Sequence, residues 1–210
     1  MTTIDPYAST PEEAPSKPEG AKKFLNPFTL IVVAAIMLLI GVVAWGIYQN
    51  EQDTLDDGPA PEFSLTIYNS NNIAYSDPNM VMDYSGETFN LDDFKGKHVL
   101  VINLWQSNCV PCHQEADMLV EVYNDYRDQG VIFLGINAKD PDKLAYEYIV
   151  KYNINYPNGL DRGDKFQDDY RTTGYPETFI IDLEGHIQLH INGPISENQL
   201  RDEIDKALGL

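Results

Sequence analysis

The two cysteines of this chain lie three positions apart, in the segment CVPC at residues 109–112. The apolar run HVLVINLW at 98–105 precedes them and is typical of a buried strand. Behind the pair, apolar side chains recur at the spacing of an amphipathic helix: Ala116, Leu119, Val120 and Tyr123. Backbone N–H groups and the positive end of a helix favour the thiolate of Cys109, which is the reactive form. The pattern therefore predicts a redox-active dithiol at the start of a helix.

Other uses of the cysteine pair remain open at this stage. A zinc site would need two of the four histidines, and none of these has the spacing of a ligand pair. A purely structural disulfide across three positions closes almost no loop and stabilises little. The run CVPCH at 109–113 fits the C-x-x-C-H motif of covalent haem attachment, although no methionine stands out as a second axial ligand. A copper metallochaperone could use both thiols together with His113.

An uncharged segment at residues 28–48 predicts one transmembrane helix. At 1.5 Å per residue it crosses a hydrocarbon core of about 30 Å. Three lysines precede the segment and four acidic residues follow it closely, so the positive-inside rule predicts a cytoplasmic N-terminus and an extracytoplasmic domain. The segment is longer than the apolar region of a signal peptide, and no A-x-A-like cleavage site follows it. We therefore expect a retained membrane anchor.

Composition divides the rest of the chain into three parts. Residues 1–27 are rich in proline and polar residues and predict a disordered cytoplasmic tail. Residues 49–60 predict an acidic linker, and residues 61–210 have the length of one ordinary domain. The chain has a formal charge of −19, and residues 49–210 alone carry 11 Lys and Arg against 29 Asp and Glu. This charge argues against nucleic acid as a partner and raises the pKa expected for the thiols.

The order of predicted elements defines the fold class as α/β. After the strand and helix around the cysteines come a strand at 131–137, a helix at 140–152, a short helix near 163–170 and strands at 178–182 and 186–191. Ser196 caps a final amphipathic helix. This is the order of a thioredoxin fold with an inserted helix. Segments 62–68 and 87–91 predict an extra N-terminal β-hairpin, and the whole domain follows one transmembrane helix.

Five motifs carry a resemblance to a known family: PEFSL at 61–65, NLDDFKGK at 90–97, NLW at 103–105, CVPCHQE at 109–115 and GYPETFIID at 174–182. Over residues 59–208 the chain resembles the membrane-anchored, thioredoxin-like thiol–disulfide oxidoreductases of the TlpA/ResA/CcmG (DsbE) type. The PETF run is most similar to the CcmG branch, whose members reduce apocytochrome c or its partners. The chain departs from the family at Asn108, where an aromatic residue is usual, and in a long insertion at 69–85.

The resemblance implies a bacterial enzyme that reduces protein disulfides outside the cytoplasm, with apocytochrome c as an example of a substrate. Its electrons would come from a transmembrane thiol carrier, and it would need no cofactor besides the Cys109–Cys112 pair. The resemblance also implies that Pro176 follows a cis peptide bond and faces the disulfide. In that geometry the backbone of Tyr175 adds an extended substrate strand beside the dithiol.

Each remaining site residue has a predicted role. Cys109 attacks a substrate disulfide, and Cys112 then resolves the mixed disulfide. Glu115 lies three residues after Cys112 on the same helix face and is predicted to take its proton. We expect Glu177 to place a negative charge near the pair and, with Trp105, to line the substrate side. Trp105 is also expected to pack against the active-site loop as support. His113 is predicted to be an exposed helix residue. Because the acidic groups oppose the helix dipole, the pair is expected to be a reductant.

Overall fold

The computed structural model describes residues 26–52, 55, 57–68 and 83–210. Helix α1, Pro27–Gln52, contains the predicted membrane span and extends beyond its predicted end at 48. Its residues Pro27–Gly46 have a mean hydropathy of 2.8, and none of them is buried in the protein, which fits a membrane anchor. The predicted disordered tail, except for residues 26 and 27, lies outside the described residues. So does most of the predicted insertion, at 69–82.

Residues 48–210 form one compact unit. Its strands are β1 Gly58–Pro59, β2 Ser64–Thr66, β3 Thr88–Asn90, β4 Val99–Trp105, β5 Val131–Asn137, β6 Asn158–Leu160, β7 Glu177–Ile181 and β8 His186–Asn192. Its helices are α2 Val110–Tyr126, α3 Asp142–Lys151, α4 Lys165–Asp169 and α5 Glu197–Leu208.

Six strands form one mixed sheet in the order β1-β8-β7-β4-β5-β6. Strands β4, β5 and β6 are parallel, and β7 and β8 continue the sheet from β4 in antiparallel fashion. Strands β2 and β3 pair with each other, as predicted for the extra hairpin. The thioredoxin-like α/β fold is therefore confirmed.

Two edge strands differ from the prediction. Strand β1 pairs with β8 although its two residues fall inside the predicted linker, so that linker ends before Gly58 rather than at residue 60. Strand β6 pairs with β5 through three residues that were not predicted as a strand. Both are too short for a hydrophobic period to be recognised, and they form because the neighbouring strand offers unpaired backbone groups.

The centre of the sheet positions the site. All seven residues of β4 and all seven of β5 are buried, as expected for strands covered on both faces. Strand β4 ends at Trp105, directly before the cysteine segment, while its antiparallel neighbour β7 begins at Glu177. Leu104 and Glu177 lie opposite each other in this pairing. The end of β4 and the start of β7 therefore bring the CVPC segment and Pro176 to the same end of the sheet.

Candidate active site

Cys109 and Cys112 form a disulfide at the start of α2. Cys109 is the N-cap residue of the helix and is half-buried, whereas Cys112 is only 1 % exposed. The Cys109 Sγ accepts a hydrogen bond from the Cys112 backbone N–H at 3.1 Å. In the reduced protein this N–H and the helix start favour the Cys109 thiolate. Of the two sulfurs, that of Cys109 is therefore the accessible one and that of Cys112 is protected from solvent.

The loop between β4 and the cysteines is held by the loop that follows β5. Gln106 donates its side-chain N–H to the Ala138 carbonyl at 2.7 Å. The Ser107 N–H and hydroxyl both donate to the Asp140 carboxylate, at 2.6 and 2.9 Å. Asn137 donates to the same carboxylate at 2.7 Å. Because these contacts fix the chain immediately before Cys109, they position its sulfur.

Glu115 is buried on the same face of α2 as Cys112 and is only 4 % exposed. Its Oε1 accepts a hydrogen bond from the Asn103 side chain at 2.8 Å, and its Oε2 accepts the Ile195 backbone N–H at 3.2 Å. Burial raises the pKa of Glu115 to about 7, although both hydrogen bonds lower it. A carboxyl with this pKa exchanges a proton near neutral pH, which a surface glutamate does not.

A surface cleft of about 280 Å³ reaches Glu115 from the solvent side. Gln114, Met118, Ile195 and Glu197 line it together with Glu115. This cleft gives the buried carboxyl a path for proton exchange with water.

The raised pKa of Glu115 has a measurable consequence for stability. In the unfolded chain the carboxyl has its ordinary pKa of 4.5, so the folded protein retains the proton more tightly between pH 4.5 and about 7. Protonation of Glu115 therefore makes its full contribution to the free energy of unfolding below pH 4.5. This contribution is lost as pH rises through 7. A difference of about 2.5 pKa units corresponds to about 3 kcal/mol.

We therefore expect the free energy of unfolding of Glu115→Gln, measured relative to that of wild type, to rise by about 3 kcal/mol from pH 4.5 to pH 8. The measurement is urea unfolding of the oxidised protein. Any pH-independent cost of the amide cancels in this difference. Glu121→Gln, at an exposed position on the same helix, is the matched control and should show no such trend. A constant difference between Glu115→Gln and wild type across this pH range would contradict the raised pKa.

The Tyr175–Pro176 peptide bond is cis, as the resemblance implies. Pro176 is buried and Tyr175 is half-buried, with its hydroxyl bonded to the Gln167 side chain. Within the part of the chain that the structure describes, no hydrogen bond occupies the backbone N–H or C=O of Tyr175. These two groups are therefore available to an extended chain from a partner.

Glu177 does not line the substrate side, contrary to our expectation, because its side chain is completely buried. Its Oε1 accepts the backbone N–H groups of Thr173 and Gly174 at 2.6 and 2.7 Å, and its Oε2 lies 2.8 Å from the Nε2 of His190. Burial acts to raise the pKa of Glu177, but these hydrogen bonds outweigh it and hold the pKa below the usual range. These hydrogen bonds therefore stabilise the negative charge of Glu177 inside the protein.

Trp105 is only 1 % exposed and packs inside the protein, where it supports the site. It does not line the substrate side, contrary to that expectation. Its indole N–H donates to Asn158 at 2.8 Å, and its ring stacks on Tyr148 with the centroids 4.3 Å apart. Tyr148 in turn donates its hydroxyl to the Cys112 carbonyl at 2.8 Å. No local pattern in the sequence predicts this contact, because it joins residues 36 positions apart.

His113 is half-buried and bonded at both ring nitrogens, whereas the sequence predicted an exposed residue. Nε2 lies 2.9 Å from the Ser107 carbonyl oxygen, and Nδ1 lies 2.8 Å from the Tyr152 hydroxyl. Coordination of a haem iron or a copper ion by His113 would require one of these bonds to break. The imidazole instead ties the segment before Cys109 to helix α3.

The thioredoxin-like fold and the dithiol at the start of α2 together define a thiol–disulfide oxidoreductase. Residues 57–190 match the AhpC/TSA family, and the chain belongs to that family.

Among relatives, the thiol-disulfide oxidoreductase ResA of Bacillus thuringiensis subsp. konkukian (strain 97-27) is 27 % identical over 181 residues, which cover 84 % of this chain and 95 % of the relative. ResA of Bacillus subtilis (strain 168) is 30 % identical over 126 residues, covering 60 % of this chain and 70 % of the relative.

Solved structures show the same fold. A thiol:disulfide interchange protein of the thioredoxin family from Chlorobium tepidum TLS superposes with a TM-score of 0.58 at 25 % identity, covering 72 % of this chain and 96 % of that one. The thioredoxin domain of a thiol-disulfide oxidoreductase from Bacteroides vulgatus has a TM-score of 0.57 at 20 % identity, with coverage of 72 % and 96 %. This chain is accordingly a thioredoxin-like oxidoreductase of the ResA/DsbE type.

Proposed function

We propose that the enzyme reduces protein disulfides on the extracytoplasmic side of the membrane, with the oxidised C-x-x-C-H segment of apocytochrome c as substrate. The observation that carries this proposal is the asymmetric pair: an accessible Cys109 at the helix start, and a buried Cys112 one turn along with a buried carboxyl beside it in the helix. Relatives named ResA and the CcmG-like PETF run support this substrate class.

In the first step, the Cys109 thiolate attacks one sulfur of the substrate disulfide and releases the other as a thiolate. In the second step, Cys112 attacks the Cys109 sulfur, which closes the enzyme disulfide and releases the fully reduced substrate. Glu115 takes the Cys112 proton as this thiol becomes a nucleophile. Two electrons pass to the substrate, so a transmembrane dithiol carrier must reduce the enzyme again. The cysteine pair is the only redox group that the reaction requires.

Docking uses the backbone of Tyr175. An extended substrate segment that pairs with its N–H and C=O lies beside the cysteines, because Tyr175 directly precedes the cis-proline at this end of the sheet. The exposed Asn108 and Val110, next to the reactive sulfur, complete the contact surface.

The direction of the reaction follows from charge. Residues 49–210 carry a net charge of −18, which disfavours the Cys109 thiolate relative to the thiol and opposes the helix dipole. Since a raised thiol pKa favours the disulfide form of the enzyme, the reduced pair gives up its electrons readily.

The test is a stoichiometric reaction of the reduced full-length protein, in detergent micelles, with apocytochrome c carrying an oxidised C-x-x-C-H segment. We expect one substrate disulfide to be reduced for each Cys109–Cys112 disulfide formed, as measured by thiol alkylation and mass spectrometry. A protein that instead oxidises reduced apocytochrome c under the same conditions would have the opposite direction. Covalent haem on both cysteines, seen as a Soret band in membranes, would replace the proposal altogether.

A further inference from the structure

The segment that leads into the cis-proline is held by a buried carboxylate. The Glu177 Oε1 accepts the backbone N–H groups of Thr173 and Gly174, the two residues before Tyr175. The Thr173 hydroxyl lies 3.3 Å from the same oxygen. These bonds use the N–H groups that would otherwise compete with Tyr175 for a substrate strand. The conformation of the docking segment therefore depends on where the Glu177 carboxylate is held.

His190 holds that carboxylate from strand β8. Its Nε2 lies 2.8 Å from the Glu177 Oε2, and the two side chains are 3 % and 0 % exposed. The imidazole also stacks on Phe179, with centroids 4.2 Å apart and an angle of 2° between the rings. A buried carboxylate is stable only when its oxygens are hydrogen-bonded, so removal of this donor would force Glu177 to reorient.

We propose that His190 is a positioning residue for substrate docking: through Glu177 it holds Thr173 and Gly174 so that Tyr175 presents its backbone to an extended segment of the substrate. This inference rests on the proposed function, since it concerns the docking of a disulfide-bearing chain. It assigns no part in the thiol chemistry to His190. The reactivity of the cysteine pair toward a small thiol, which needs no docking strand, is consequently independent of His190.

Two substitutions separate the hydrogen bond from the packing. His190→Phe keeps a ring stacked on Phe179 and removes the donor to Glu177. His190→Gln loses the stacking but keeps an N–H group near the position of Nε2. If packing alone matters, His190→Phe is the milder change. If the bond to Glu177 matters, His190→Gln is the milder change.

The experiment uses the full-length protein in micelles and two reactants. One is a peptide with an intramolecular C-x-x-C-H disulfide, and the other is dithiothreitol, which reduces the Cys109–Cys112 disulfide directly. In single turnovers of the reduced protein with excess peptide, which need no further reductant, we expect His190→Phe to lower the second-order rate constant about tenfold. The loss should arise mainly from a higher KM, the peptide concentration at half-maximal rate, because docking is lost. The dithiothreitol rate should stay within about twofold of wild type, and His190→Gln should recover most of the peptide activity.

Three results would overturn the proposal. These are an unchanged KM in His190→Phe, an equal loss with peptide and dithiothreitol, or a greater loss in His190→Gln than in His190→Phe. If His190→Phe does not fold, His190→Leu removes the donor with a smaller side chain, and failure of both to fold assigns His190 a structural role only. A wild-type protein that reacts with dithiothreitol but not with the peptide refutes the proposed function itself.

Discussion

Cys109→Ser is expected to abolish disulfide reduction completely. The hydroxyl of serine cannot form the mixed disulfide, and Cys112 cannot substitute because it is only 1 % exposed. Turnover of oxidised apocytochrome c by the reduced protein should therefore fall to the uncatalysed background. The measurement is thiol release in the stoichiometric reaction described above.

Cys112→Ser is the matched control for this result, because it removes the second thiol and leaves the first. This variant should attack at the wild-type rate and then remain attached to its substrate as a mixed disulfide at Cys109. Non-reducing electrophoresis followed by mass spectrometry would show the trapped product and identify physiological partners. Residual turnover by Cys109→Ser, or trapping through residue 112 instead, would reverse the assigned roles.

Glu115→Gln is expected to slow the second step about 100-fold at pH 7–8, within the usual range for loss of a general base. Because the pKa of Glu115 is about 7, the wild-type rate should rise with pH through 7 and then level off. The variant should become faster only as Cys112 ionises without help, so the two rates converge at high pH. Removal of the negative charge also lowers the pKa of Cys112, which partly offsets the loss.

The rate of resolution can be followed by rapid acid quench after mixing the reduced protein with substrate. The first attack by Cys109 should be nearly unchanged in Glu115→Gln, so mixed disulfide should accumulate. Glu121→Gln removes the same charge from an exposed position on the same helix and should resolve at the wild-type rate. Equal resolution rates for all three proteins between pH 6 and pH 9 would show that Glu115 has no part in proton transfer.

Local sequence patterns were enough to predict the redox chemistry and most of the order of elements. The CVPC segment between a seven-residue apolar strand and an amphipathic helix predicts a dithiol because strand burial and helix periodicity are local patterns. The helix spacing also placed Glu115 on the face of Cys112. The family resemblance carried by the run GYPETFIID implied a cis bond before Pro176, which the structure contains.

Whether a buried carboxyl near the site has a raised or a lowered pKa depends on tertiary packing, which no local pattern shows. Glu177 precedes His190 by 13 residues, and Asn103 and Ile195 lie 12 and 80 residues from Glu115, so their pairing depends on strand register and packing. Among the described residues Glu115 has no charged hydrogen-bond partner, and its pKa is raised, whereas three N–H groups bond to Glu177 and its pKa is lowered. From sequence position alone, Glu115 and Glu177 would both be expected to carry a negative charge near the cysteines. Their different behaviour arises because the free energy of a buried charge depends on the groups that the fold places around it.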